Sequence, residues 1–455
     1  MHNFMTEKAP PSPLWGKQTK QALANFAIGQ ERMPVAFIHA YAMVKFCTAA
    51  VHKQYRKLPE NIADAIMQAA SEIMQGELDD QFPLSVWQSG SGTQFHMNVN
   101  EVLASRSNTI LGEPDAVHAN DHCNLGQSTN DSFPTAMHIA SALHLARHLL
   151  PTLARLITAL QQQSDTMQHD IKTGRTHLQD ATPITLGQTF SAYAAQLSQC
   201  RENITANLPA IKQLTIGGTA VGTGINSYAD FAPAFCNELN ALTGNVFTPA
   251  TNRFAQQAAH DDVVQLSGCL NTLASALNKI ASDLRLMASG PRCGLAEITL
   301  PANEPGSSIM PGKVNPSQCE MLNMVCVQVM ANHTAITMAN AQGQLELNTF
   351  KPLIAFNILQ SLQLLSDAIQ SFCSYCVLGI RANSEQLAAT QEKSLMLVTV
   401  LTDVLGYDKA AELVNYATQH AVTLREAVLN TGAMSAEEFD QRVRPEYMLK
   451  PRSEH

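Results

Sequence analysis

Leu266, Leu270, Leu273, Leu277, Ile280, Leu284 and Met287 follow one another at alternating steps of four and three residues. Only an α-helix returns side chains of that spacing to one face, and a seam this long must lie along other helices to be buried. Ile358, Leu362, Leu365, Ile369, Phe372 and Cys376 repeat the pattern. The segments 134–170, 183–208 and 317–347 are also long and rich in Ala, Leu and Met. The expected fold is therefore mainly all-α, around a central bundle of about five helices, each roughly 40–50 Å long at 1.5 Å per residue. Pro151 falls inside the segment 134–170 and predicts a kink there, because the apolar pattern continues on both sides.

The 455 residues are enough for two or three domains. Shorter helical patterns at 35–52 and 60–75, separated by polar loops, mark residues 1–129 as an N-terminal region. Residues 130–385 carry the long helices, and 386–455 read as a small C-terminal domain. A formal net charge of −9 offers no basic footprint for nucleic acid. No run of about 18 uninterrupted apolar residues predicts a membrane span. The opening MHNFMTEKAP lacks the basic and apolar regions of a signal peptide, so the expected location is cytoplasmic, or mitochondrial after removal of a transit peptide.

Ten scattered cysteines fit reduced thiols, and the CxxC at Cys373–Cys376 lies within a helical apolar pattern. Neither they nor the 15 histidines adopt a metal-binding spacing, so no metal and no cofactor are expected.

Three polar loops each run into a helix. EPGSSIMPGKVNPSQCE (304–320) is broken by Pro305, Pro311 and Pro316, with Asn315–Pro316 reading as N-cap and first helical residue. GQSTNDSFP (126–134) ends at Pro134, and GRTHLQDATP (174–183) ends at Pro183 with Thr182 as the expected cap. Helix starts present unpaired N–H groups and a positive dipole end, which suit an anion. If 134–170 is one helix, roughly 55 Å long, the loops at its two ends cannot share a site within one chain. They can meet where bundles from different subunits pack antiparallel. A homo-oligomer with sites at subunit boundaries is the expected assembly, most simply a symmetric tetramer.

At these residues the sequence resembles the fumarase/aspartase superfamily, and within it is similar to the class II (iron-independent) fumarate hydratases. GSSIMPGKVNP (306–316) with the following SQCE, GRTHLQDATP, GGTAVGTGIN (217–226), SGPRCG (289–294), SGSGTQ (89–94) and SLMLVTVL…GYDKAA (394–411) carry the resemblance over nearly the whole chain. His177 and Gly312 stand where aspartases usually have glutamine and alanine. Three departures are visible: Phe95–His96 replaces a small hydroxyl residue and asparagine, STND (128–131) is spelled as in aspartases, and HAND (118–121) replaces HPND.

The resemblance implies reversible hydration of fumarate to (S)-malate, a three-domain helical subunit, and a homotetramer whose sites draw on three chains. Removing a proton next to a carboxylate creates a carbanion that is tolerable only as an aci-carboxylate dianion. The site must therefore supply a base, an acid and donors aimed at that carboxylate. By carry-over, Ser307 is the base, His177 handles the water or hydroxyl, and Glu320 orients the imidazole. Lys313 and Asn315 bind the carboxylate that becomes the dianion. Ser91, Gly92, Thr93, Ser128, Thr129, Asn130, Thr176, Ser308 and Val314 complete the dicarboxylate contacts. His118, Ala119, Asn120 and Asp121 correspond to a second anion site. The alternatives are an aspartate ammonia-lyase, a mesaconate-type hydratase, or a catalytically silent scaffold.

Overall fold

The computed structural model describes residues 13–451; the first ten residues, read above for a leader, lie outside the described part. Its helices are, in chain order, α1 (Lys17–Asn25), α2 (Val35–Gln54), α3 (Glu60–Met74), α4 (Thr93–Leu111), α5 (Thr129–His144), α6 (Leu150–Thr166) and α7 (Leu186–Ile211). They continue as α8 (Phe231–Thr243), α9 (Arg253–Ala258), α10 (Asp261–Met287), α11 (Ser317–Asn340) and α12 (Lys351–Tyr375). Short helices follow, beginning with α13 (Ser384–Lys393). A hairpin of β1 (Ile171–Thr176) and β2 (Gln179–Thr185) separates α6 from α7. The mainly helical architecture agrees with the reading of the sequence.

Leu266 through Leu284 of the first seam are 0% exposed and Met287 is 6% exposed. The second seam, from Ile358 to Phe372, is equally buried. Both seams are thus satisfied within one chain. α11 differs, because it is apolar on two faces. Leu322, Cys326, Val329 and Ile336 are buried, whereas Met324, Val327 and Met338 are 61–68% exposed.

The distortion expected at Pro151 takes the form of a π-turn, Leu145–Leu149, between α5 and α6. Proline gives no N–H to the carbonyl four residues back and its ring crowds that carbonyl, so the wider turn relieves the conflict. Two helical segments, Val35–Gln54 and Lys351–Gly379, are long and apolar enough to cross a bilayer. Two thirds of each apolar window is buried inside the protein, as in core helices.

The chain divides into two compact units. One comprises the chain up to Leu150 with Glu202–Ala274 and Val327–Leu365; the other comprises Pro151–Arg201, Ser275–Cys326 and the chain from Ser366. These limits fall inside α6, α7, α10, α11 and α12. In the first unit α2 packs on α3 and α5, and the rings of Phe37, Tyr41, Phe95 and Phe133 meet tilted or edge-on with centroids 4.6–6.2 Å apart. In the second, Val398, Leu401, Leu413, Leu424, Val428 and Phe439 form a cluster of their own near the C-terminus.

Candidate functional site

The candidate residues fall into two groups, one in each unit. In the first unit, α4 starts from Gly92, whose φ of +82° favours glycine. A Cβ there would stand 2.3 Å from the Phe133 ring, so the loop 89–92 can lie directly on α5 only with glycine at this position. The hydroxyls of Ser89, Ser91 and Thr93 form a chain at 3.1 and 2.8 Å, with Thr93 on the surface.

α5 does not begin at Pro134 but five residues earlier. Ser128 is its N-cap, accepting from Asn130 N, while Asp131 Oδ1 accepts from Ser128 N at 2.9 Å. This reciprocal capping box is written in the sequence as S-x-x-D, six residues upstream of Pro134 at its serine. Asp131 Oδ2 also accepts from Gly217 N and Thr219 N at 3.0 and 2.9 Å. Burial raises the Asp131 pKa, and the three backbone donors work against that rise. Asn130 Nδ2 donates to the Ala220 carbonyl at 2.8 Å. The GGTAVG stretch therefore serves as a bed for the STND turn.

Thr129 Oγ1 is 2.7 Å from His96 Nδ1, and His96 Nε2 is 2.7 Å from Lys45 Nζ. This links loop 89–94 to loop 126–131 through buried polar atoms. Sequence reading noted His96 only as a departure and missed Lys45, although a lone lysine inside AYAMVKFCTAA was a visible signal. His118 lies apart on an exposed turn with Asn120 and Asp121, and Ala119 is half-buried there. His118 Nδ1 faces Asp121 Oδ2 at 3.0 Å, so this turn supplies its own carboxylate to the imidazole.

In the second unit, Thr176 pairs with Gln179, leaving His177 and Leu178 as a two-residue hairpin loop with φ of +56° and +61°. Left-handed backbone at both positions is the type I′ geometry that matches strand twist. It lifts the His177 ring onto the surface. The helix expected from Pro183 is corrected here. Pro183 lies in β2, and the cap is Thr185, whose Oγ1 accepts from Gln188 N while Gln188 Oε1 accepts from Thr185 N. The hairpin is anchored by Glu297, 1% exposed, which pairs with both Lys172 (3.1 Å) and Arg175. Burial lowers the Lys172 pKa, and Glu297 pulls it back up.

The loop before α11 folds on itself. Gly306 N donates to Lys313 O at 3.1 Å, and a Cβ on Gly306 would come within 2.2 Å of that oxygen. Ser307 Oγ accepts from the backbone N–H groups of Ile309 and Met310 at 3.2 and 3.0 Å. Asn315 does not cap α11 as expected: its Nδ2 donates to the Gly306 carbonyl, and the helix starts at Ser317. Ser308, Lys313 and Val314 are exposed on this loop. Lys313, Val314, Asn315 and Glu320 line a cavity of about 720 Å³ with Arg285, Ser289 and Asn383. Glu320 faces Arg285 at 3.6 Å, and among the described residues no hydrogen bond joins it to His177. No cluster of metal-ligating side chains occurs among the described residues.

Comparison with known proteins identifies the family. Residues 5–331 match the Lyase family model, and residues 397–450 match that of the fumarase C C-terminus. The chain is 53% identical to a class II fumarate hydratase of Pseudomonas putida, covering 98% of this chain and 97% of that one. It is 52% identical to the class II fumarate hydratase of Thermosynechococcus vestitus over 97% and 96% of the two chains. The crystal structure of a class II fumarase from Schistosoma mansoni superposes with a TM-score of 0.94 at 45% identity, covering 98% and 97%. A fumarate lyase:delta crystallin from Brucella melitensis gives 0.88 at 40%, covering 96% and 97%. With capped turns, hairpin and serine loop all in place along a full-length match, the chain belongs to the class II fumarate hydratase family.

Proposed function

We propose that the protein adds water reversibly across the double bond of fumarate to give (S)-malate. The observation that carries this reading is the Ser307 hydroxyl, which already accepts two backbone N–H bonds. An alkoxide formed at Oγ would be held by the same two donors, and charge-assisted bonds of this kind are about twice as strong as neutral ones. In the malate direction Ser307, as the alkoxide left once its hydroxyl proton has passed to solvent, takes the proton from the carbon next to a carboxylate. Lys313 and Asn315 then stabilise the resulting dianion, and His177 gives a proton to the departing hydroxyl. Hydration runs the same steps in reverse, with His177 taking a proton from water. Ser91, Gly92, Thr93, Ser128, Thr129, Asn130, Thr176, Ser308 and Val314 surround the dicarboxylate, and Glu320 of a neighbouring chain supports the imidazole.

The assembly proposed with it is a homotetramer, in a cytoplasmic setting. Its support is the exposed stripe Met324, Val327, Ala331, Thr334 and Met338 on α11, which keeps the heptad spacing of a helix-packing face. Purified protein mixed with fumarate should remove its ultraviolet absorbance and yield (S)-malate. Ammonia release from aspartate with no loss of fumarate would replace this reading with that of an ammonia-lyase.

A further inference from the structure

Lys45 is a buried lysine inside the apolar helix α2, 1% exposed, and is followed here in its ammonium form. Its Nζ stands 2.7 Å from His96 Nε2, 3.0 Å from Gln127 Oε1 and 3.2 Å from the Cys123 carbonyl oxygen. An ammonium has three protons and no lone pair, so these three acceptors saturate it. Gln127 is fixed in the matching sense, since its Nε2 donates to the Cys123 and Leu125 carbonyls and turns Oε1 toward Lys45. His96 Nε2 must then accept, which places the single ring proton on Nδ1. A second ring proton is opposed by burial and by Lys45 itself, which together hold the His96 pKa well below its ordinary value. Nδ1 faces Thr129 Oγ1 at 2.7 Å. One turn earlier on α2, Tyr41 braces the same loop: its hydroxyl is 2.7 Å from Ser132 Oγ, which donates to the Ser128 carbonyl.

We propose that His96 is a positioning residue, locked by Lys45 in the Nδ1–H form so that it donates to Thr129 Oγ1 and leaves the Thr129 hydroxyl proton for the substrate carboxylate. The identity of that acceptor rests on the fumarate reading; the direction of the relay does not.

A double-mutant cycle and a neutron structure test it. Thr129→Ala and His96→Phe should each raise KM for fumarate about tenfold, the scale of one hydrogen bond to a charged group, with kcat changed far less. The double variant should be no worse than Thr129→Ala alone, because both remove the same bond. His96→Asn, whose amide reaches the Nδ1 position but not Lys45, should recover most of the KM lost in His96→Phe. Multiplying effects, or a Thr129→Ala variant with unchanged KM, would overturn the proposal. Neutron diffraction from the unmodified protein at pH 6, below the value of about 7 to which burial draws Lys45, should show hydrogen on His96 Nδ1 and none on Nε2. Hydrogen on Nε2 overturns the relay whatever the substrate. A wild-type protein inert toward fumarate but carrying the Nδ1 proton would sink the functional reading and leave the relay standing.

Discussion

A serine hydroxyl becomes a usable base only where its oxyanion is held, and at Ser307 the Ile309 and Met310 amides are already aimed at Oγ. His177 tests the other half of the chemistry without confounding the fold. Asparagine tolerates left-handed backbone, so His177→Asn keeps the φ of +56° its turn demands. It should lower kcat by about two to four orders of magnitude with the melting temperature unchanged; near-normal turnover would remove His177 from the mechanism. Lys351 makes a separate prediction about stability. It is fully buried, its Nζ lacks a hydrogen-bond partner among the described residues, and burial lowers its pKa to about 7 against the pull of Asp131. Between that value and the ordinary 10.5 the unfolded chain binds more protons than the folded one, so stability rises with pH across this window. Replacement by methionine removes the rise. Lys351→Met should gain most over wild type at pH 7 and lose about 2–3 kcal/mol of that advantage by pH 9, measured by denaturant midpoints.

The hairpin β1–β2 is held at its base by one buried carboxylate serving two cations. Glu297→Gln leaves Lys172 and Arg175 without a counter-charge in a buried setting, a change that costs roughly 3–5 kcal/mol. The expected result is a lower melting temperature and a drop in kcat/KM, because the same hairpin carries Thr176 and His177. A variant with wild-type stability would show that the hairpin is held by its ladder and turn alone. The long helices were legible from their periodicity, since 3.6-residue seams survive any detail of loop chemistry. The helix starts were less so. Pro134 and Pro183 suggest first helical residues, yet the deciding signals are Ser128 with Asp131 and Thr185 with Gln188, each three apart. A proline is compatible with an early helical position or a strand, whereas a reciprocal cap fixes one boundary. The buried Lys45–His96–Thr129 chain joins residues from α2, α4 and α5, and no local pattern could have brought them together.

At the scale of the whole molecule, the two core seams are satisfied within the chain, whereas α11 presents its outer stripe to solvent. An apolar helical face of heptad spacing is buried by pairing with an equivalent helix, and closed symmetry then repeats every contact. Under the tetramer proposed above, Asn130 and His177 at one site come from different subunits. Two inactive variants, Asn130→Ala and His177→Asn, should therefore complement each other. After unfolding and refolding as an equal mixture, each site draws His177 from an intact chain half the time and Asn130 from an intact chain half the time. About one quarter of wild-type activity should return, although neither variant alone has any appreciable turnover. Light scattering on the mixture should give the mass of four chains. A mixture as inactive as its parents, at that same mass, would mean that one chain supplies both residues to each site.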